Sequence, residues 1–137
     1  MSTKSGTNYT HDEILTPLAI VVIIDGKVRA PEMNSFGRQA AGLFDLFSLS
    51  PLSQVEITKW FKAHSGELEK KLSGPRRNTL VLRALSRIEK GRDAEAVYDA
   101  MVSISVSDKE YVKVESELIK SAASIWGFPR PPIKVNR

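Results

Sequence analysis

The sequence predicts a single, predominantly helical domain. Five segments place apolar residues three or four positions apart, which is the spacing of one helix face. The 137 residues are 42% hydrophobic and 26% charged, a composition that can form one core and excludes disordered, collagen-like and coiled-coil chains. Cysteine is absent, so disulfide scaffolds, thiol catalysis and thiolate metal sites are excluded.

The chain begins with a polar stretch, residues 1–10, which we expect to be a flexible lead. The longest apolar run lies further on, from Leu18 to Ile24. A helix that spans a bilayer needs about twenty such residues, so this run is too short. A secretory signal would carry basic residues before the run, whereas Asp12 and Glu13 precede it. We therefore expect a soluble, cytoplasmic protein.

The first clear amphipathic helix is predicted from Pro31 to Phe47. Proline suits the first turn, because the amide proton that it lacks is not needed there. The residues expected on the buried face are Met33, Phe36, Ala40, Leu43, Phe44 and Phe47. The stretch from Ser48 to Pro51 is expected to end the helix.

Two further helices are predicted in the central part of the chain. One starts near Pro51, carries Val55, Trp60 and Phe61, and continues past Gly66 to Leu72. Ser73-Gly74-Pro75 separates it from the next helix, because proline disfavours helix in the residue before it. The second helix spans residues 76–90 and ends at Gly91. Its inward residues are expected to be Val81, Ala84, Leu85 and Ile88.

The C-terminal part holds two more helical segments and a tail. Asp93 is expected to cap a helix that reaches Val102, and the last helix is predicted from Tyr111 to Trp126. Residues 129–137 contain three prolines and are expected to form an extended basic tail. The folded domain is therefore predicted over residues 11–128.

Two segments favour strands when only their local sequence is considered. Residues 20–24 are all β-branched, and residues 102–107 alternate apolar and small polar side chains with a period of two. Both patterns are typical of strands. Their positions within an internal repeat favour helices instead.

The internal repeat becomes visible when the chain is shifted by 83 residues, which aligns Asp25 with Asp108 and Glu32 with Glu115. Each copy contains an apolar run, an aspartate, a short turn, a glutamate seven residues after the aspartate, and an amphipathic helix. The shift also aligns Val28 with Tyr111, Phe36 with Ile119, Ala40 with Ala123, and Leu43 with Trp126.

The first copy resembles the TerB tellurite-resistance family. The resemblance rests on an apolar helix that ends in Asp25-Gly26, on Val28 two positions later, and on Pro31-Glu32 at the start of the next helix. The second copy, residues 102–128, is similar to the closing helix pair of that family. It is more degenerate, since Lys109 stands in place of the glycine and Val114 in place of the proline.

The resemblance covers roughly residues 14–128 and implies an all-α fold, a compact bundle of about seven helices with two pseudo-repeated helix-turn-helix units. Both strand-like segments then become buried helices, since packing commonly overrides a modest propensity cost. The resemblance also implies a bacterial or phage protein with a stress-response or envelope-linked role, located in the cytoplasm or at the periphery of the inner membrane.

A divalent-metal role for the acidic turns is a further implication of the resemblance. Asp25, Glu32, Asp108 and Glu115 would gather four carboxylates at one end of the bundle, as ligands for calcium or magnesium. In the competing structural interpretation, each aspartate binds turn amides and each glutamate lies near a helix N-terminus, where negative charge is favourable. We favour the structural interpretation, because one Asp and one Glu per turn fall well short of a twelve-residue calcium loop.

Charge is distributed unevenly along the chain. The formal net charge is +4, yet residues 52–92 carry ten basic and four acidic side chains, whereas residues 93–128 carry three and seven. A basic stripe along the predicted helix 76–90 consists of Arg76, Arg83, Arg87 and Lys90. This basic stripe suits a protein partner or an anionic membrane surface. Alternatively, it is a solvated face or faces the acidic end of the bundle itself.

Several classes of function are disfavoured by what the sequence lacks. No aromatic residue lies between Arg76 and Arg92 and no helix-turn-helix signature occurs, which disfavours nucleic acid as a partner. No local motif pairs a nucleophile with an oriented base. We therefore expect a non-enzymatic, TerB-like interaction or sensing module, with metal binding secondary. The alternative is a metal-dependent, phosphate-directed hydrolase that uses the four carboxylates.

Overall fold

A computed structural model describes residues 9–24, 26–107 and 113–128. Within these ranges the regular structure is entirely helical, which confirms the all-α prediction. The helices are α1 (His11–Ile23), α2 (Ala30–Leu46), α3 (Gln54–Leu72), α4 (Arg77–Ser86), α5 (Arg92–Ser105) and α6 (Lys113–Trp126). The expected number of about seven helices is wrong for the described ranges, which contain six. Helix α3 continues through Gly66 to Leu72 as a single helix of 19 residues, as predicted.

Helix α1 is the central element of the bundle and packs against α2, α3, α4 and α5. Every residue from Leu18 to Ile23 is buried, so all faces of its C-terminal half lie in the core. This burial explains why β-branched residues form a helix here. Their helix-propensity cost is a few tenths of a kcal/mol each, whereas burying each side chain contributes about 1.5–3 kcal/mol. No described helix is both long enough and apolar enough to cross a bilayer.

The second strand-like segment is also helical, because residues 102–105 form the last turn of α5. Helix α5 packs against α1, α2 and α6. The buried Ser105 hydroxyl donates to the Val102 carbonyl oxygen at 2.9 Å, so this polar side chain is satisfied within the helix itself. The chain leaves the helix at Val106 and Ser107, which form a turn.

Local signals account for the starts of three helices. Capping boxes open α1 and α3: the hydroxyls of Thr10 and Ser53 each accept from the third helical amide, and the glutamate at that position accepts in return. At the start of α2, Pro31 lies in the first turn as predicted. The predicted cap of α5 is wrong, since Gly91 rather than Asp93 occupies that position. Gly91 has a φ of +100°, a conformation that favours glycine.

The predicted flexible lead, residues 1–10, is wrong at Tyr9 and Thr10. The Tyr9 side chain is buried, and its hydroxyl donates to Asp93 Oδ2 at 2.6 Å. Thr10 caps α1, so both residues belong to the folded domain. The rest of the predicted lead, residues 1–8, and the predicted tail, residues 129–137, lie outside the described ranges.

Helix α4 ends at Ser86, four residues before the predicted end. The Ile88 amide donates to the Leu85 carbonyl oxygen at 3.1 Å, a tighter turn than that of an α-helix. Tertiary hydrogen bonds involve Leu85 and Glu89. The Leu85 carbonyl oxygen accepts from Trp126 Nε1 at 2.9 Å, and the Glu89 amide donates to the Tyr9 hydroxyl at 3.1 Å. Ile88 remains buried although it lies beyond the helix.

Candidate functional site

The acidic turns contribute two fully buried carboxylates to the described structure. Glu32 is the third residue of α2 and Glu115 the third residue of α6, and both are 0% exposed. Arg29 Nη1 lies 3.7 Å from Glu32 Oε1. A carboxylate in the first helical turn is stabilised by the partial positive charge of the helix N-terminus. Asp25 and Asp108 lie outside the described residues.

Helices α2 and α6 share their buried positions. Helix α2 begins at Ala30, and α6 is described from Lys113 onward. Three aligned pairs are buried on both sides: Phe36 with Ile119, Ala40 with Ala123, and Leu43 with Trp126. These observations agree with the repeat in the sequence, while a pseudo-repeat in space stays a prediction.

The metal hypothesis depends on residues that the described ranges do not include. Among the residues described, no group of three or more His, Asp or Glu side chains is arranged to hold a metal ion. Glu32 has the Arg29 guanidinium as a neighbour, and a positive group at that distance opposes a cation on the same carboxylate. Calcium or magnesium binding at the turns, and the hydrolase that would depend on it, remain predictions.

The residues of the basic stripe lie within and at both ends of the short helix α4, and not along one long helix as predicted. Arg76 is the N-cap of α4, Arg83 lies in its last turn and Arg87 is its C-cap. Lys90 lies beyond the helix, in the segment that leads to α5. All four side chains are exposed.

Acidic neighbours compensate little of the charge of this stripe. Arg87 Nη1 lies 3.5 Å from Glu13 Oε2, and both side chains are partly exposed. Within the described ranges, Arg76, Arg83 and Lys90 form no ion pair. Helix α3 packs against α4 and adds four exposed lysines: Lys59, Lys62, Lys70 and Lys71. Helix α3 also exposes Glu56, Glu67 and Glu69, and Lys71 Nζ lies 3.9 Å from Glu67 Oε2.

A groove of about 410 Å³ separates the start of α1 from α4. One wall consists of Thr10, Asp12, Glu13 and Thr16, and the other side of Leu80, Arg83, Ala84 and Arg87. Asp12 is held in place because its Oδ1 accepts from Trp60 Nε1 at 2.8 Å. Two residues of the stripe, Arg83 and Arg87, therefore face the acidic start of α1. Sequence reasoning missed the groove, since no local pattern brings residues 12–13 to residues 83–87.

A second groove, of about 420 Å³, lies at the opposite end of α4. Arg77 and Asn78 line one side, and Glu117 and Ser121 of α6 line the other. Glu117, which lies in the second copy of the sequence repeat, therefore lines a groove near the α4 N-terminus.

No family model matches the sequence, and no curated protein and no solved structure shows significant similarity to it. The resemblance to the TerB family therefore rests on the residues around Asp25-Gly26 and Pro31-Glu32 and stays a prediction.

Proposed function

We propose that the chain is a non-enzymatic, TerB-like interaction module that binds an acidic protein partner through its basic face. The basic face consists of Arg76, Arg83, Arg87 and Lys90 together with the exposed lysines of α3. The observation that carries the proposal is that all four residues of the stripe are exposed and that, within the described ranges, Arg87 alone among them lies within ion-pair distance of a carboxylate.

The chemistry of the basic face favours carboxylates. Three of the four residues of the stripe are arginines, and a guanidinium can donate two parallel hydrogen bonds to one carboxylate. Clustered charges of one sign also accelerate encounter with an oppositely charged partner, and the effect is largest at low ionic strength. The face is therefore suited to recruit a partner that carries several Asp or Glu side chains.

The setting of this interaction is part of the same proposal. The TerB resemblance supports a role in a stress-response or envelope-linked complex, in the cytoplasm or at the periphery of the inner membrane. Binding of a divalent cation at the acidic turns would add a sensing role, but the basic face does not require it. The two parts of the proposal can therefore be tested separately.

The test measures binding of the full chain to fluorescein-labelled decaglutamate by fluorescence anisotropy. We expect the affinity to fall at least about tenfold between roughly 50 and 300 mM salt, because each contact between exposed charges is screened. Reversing the stripe with Arg76→Glu, Arg83→Glu, Arg87→Glu and Lys90→Glu should abolish binding. The matched control Arg38→Glu, at an exposed position of α2, should have little effect. Absence of binding by the unmodified chain at low salt would contradict the proposal.

A further inference from the structure

We infer that the groove between α1 and α4 receives a carboxylate side chain of the acidic partner between Arg83 and Arg87, in the place that Glu13 partly occupies in the free protein. The inference rests on the proposed function and deepens it, because it names the part of the basic face that carries specificity and the chemistry of the group that enters.

The geometry of α4 places the two arginines together. Arg83 and Arg87 are four residues apart at the end of the helix, and both line the groove. Side chains at this spacing are neighbours on one helix face. Leu80 and Ala84 add apolar surface to the α4 side of the groove. The volume of about 410 Å³ lies at the low end of ligand pockets, so it suits one or two side chains better than a whole helix.

In the free protein, the Glu13 carboxylate partly occupies the position that we assign to the partner's carboxylate. Glu13 Oε1 accepts from the Thr10 amide at 3.0 Å, which holds the carboxylate at the edge of the groove. Its Oε2 lies 3.5 Å from Arg87 Nη1, which is long for a charge-assisted hydrogen bond. The Arg87 side chain is 60% exposed and that of Glu13 26% exposed. Arg87 is therefore oriented but weakly paired, and a better-placed carboxylate can replace Glu13.

Asp12 and Glu13 on the α1 side of the groove favour a protein partner over an anionic membrane surface. A flat, uniformly anionic surface, such as a bilayer, would meet Asp12 and Glu13 as well as the arginines. Asp12 cannot easily turn away, because its carboxylate accepts from Trp60 Nε1. A single acidic side chain on a protein segment can enter beside the arginines without facing both wall carboxylates. The concave shape and mixed charge of the groove therefore favour a protein carboxylate.

The first experiment compares two pairs of substitutions that remove the same charge. Arg83→Gln with Arg87→Gln alters the groove, whereas Arg76→Gln with Lys90→Gln alters the basic face outside it. We expect the groove pair to weaken decaglutamate binding at least about tenfold and the outer pair less than about threefold, because a few central residues dominate most interfaces. Thermal melting of each variant checks that the bundle is folded.

The second experiment removes the internal competitor. Glu13→Gln should strengthen decaglutamate binding about two- to fivefold, and the α1 cap should persist because glutamine also serves in a capping box. The matched control is Glu56→Gln, which makes the same change in the capping box of α3. Glu56→Gln has the same effect on net charge as Glu13→Gln. Because Glu56 does not line the groove, this substitution should leave binding nearly unchanged.

The outcomes separate this inference from the proposed function. If the groove pair and the outer pair of substitutions weaken decaglutamate binding equally, the groove inference is overturned and the basic face remains the binding surface. Equal gains from Glu13→Gln and Glu56→Gln would overturn the role of Glu13. If the unmodified chain binds phosphatidylserine vesicles but not decaglutamate, the partner is a membrane, and both the inference and the proposed function fail.

Discussion

At Tyr9, one hydroxyl connects three separate parts of the chain. It donates to Asp93 Oδ2 at 2.6 Å and accepts from the Glu89 amide at 3.1 Å, while the ring packs edge-on against Phe47 at a centroid distance of 5.0 Å. Burial and the hydrogen bond to Asp93 raise the pKa of the Tyr9 hydroxyl. The neutral hydroxyl is thus part of the folded state and links the starts of α1 and α5.

Tyr9→Phe should destabilise the protein by about 1.5 kcal/mol near neutral pH, because a hydrogen bond to a charged group is lost and Asp93 is left with fewer partners. Urea denaturation followed by circular dichroism measures the difference. The difference in the free energy of unfolding between the two proteins should be fully present below pH 10.0, the ordinary pKa of tyrosine. It should narrow at higher pH, because the unfolded chain then loses a proton that the folded Tyr9 retains.

The other tyrosines, Tyr98 and Tyr111, are present in both proteins, so their titration cancels in the comparison. Equal stability of the two proteins near neutral pH, or a gap that stays constant well above pH 10.0, would show that the Tyr9 hydroxyl does not have this role.

At the scale of helices, four elements carry glutamate at their third position, and packing gives these glutamates different roles. Glu13 and Glu56 close capping boxes at the starts of α1 and α3. The hydrogen bonds from the Ser53 amide and hydroxyl lower the pKa of Glu56. Glu32 and Glu115 occupy the same position in α2 and α6 but are 0% exposed. The helical position favours a carboxylate in all four cases, and only the neighbouring helices determine which ones are buried.

Burial of every face of the C-terminal half of α1 leads to a prediction for alanine substitutions at four consecutive positions: Ile20, Val21, Val22 and Ile23. Each should lower the free energy of unfolding, by about 2–5 kcal/mol for the isoleucines and about 1–3 kcal/mol for the valines. Urea denaturation measures each loss. The control Val28→Ala, at a side chain that is 55% exposed, should change stability by less than about 0.5 kcal/mol. An alternating pattern, with every second substitution tolerated, would indicate a half-buried strand and contradict the helix.

At the scale of the whole molecule, charge is separated over the surface. The basic face lies on α3 and α4, whereas the exposed side chains of Glu95 and Asp99 lie one turn apart on α5. Partial burial and the neighbouring charge of Glu95 raise the pKa of Asp99. Like charges at this spacing destabilise a helix slightly. The net charge of +4 therefore describes a polarised bundle rather than a uniformly basic one.

The two interpretations of the acidic turns make different predictions for thermal melting. The structural interpretation, which we favour, predicts that millimolar calcium or magnesium leaves the melting temperature unchanged. It also predicts that Glu32→Gln lowers that temperature equally with a chelator and with metal. A metal site of about 0.1 mM affinity would instead stabilise the fold by roughly 2.7 kcal/mol at about 10 mM metal. That response would be lost in Asp25→Asn and kept in the control Glu67→Gln, an exposed residue of α3.

Local patterns in the sequence determined the positions of most helices, because apolar periodicity, capping residues and prolines act within a few residues of each other. Examples are Pro31 in the first turn of α2 and the separation of α3 from α4 at residues 73–75. The spacing argument assumed one helix over the whole basic stripe, whereas Arg76 and Lys90 lie outside α4.

Only the tertiary structure decided the features that depend on distant residues. Where the predicted helix would have continued, Leu85 and Glu89 form hydrogen bonds with Trp126 and Tyr9. Residues 20–23 form a helix because four other helices surround α1. The groove depends on tertiary packing, because it brings Glu13 close to Arg87, which lies 74 residues away in the sequence. A local pattern carries no information about such partners, and the free energy of burial and long-range hydrogen bonding exceeds the small local preferences that a sequence displays.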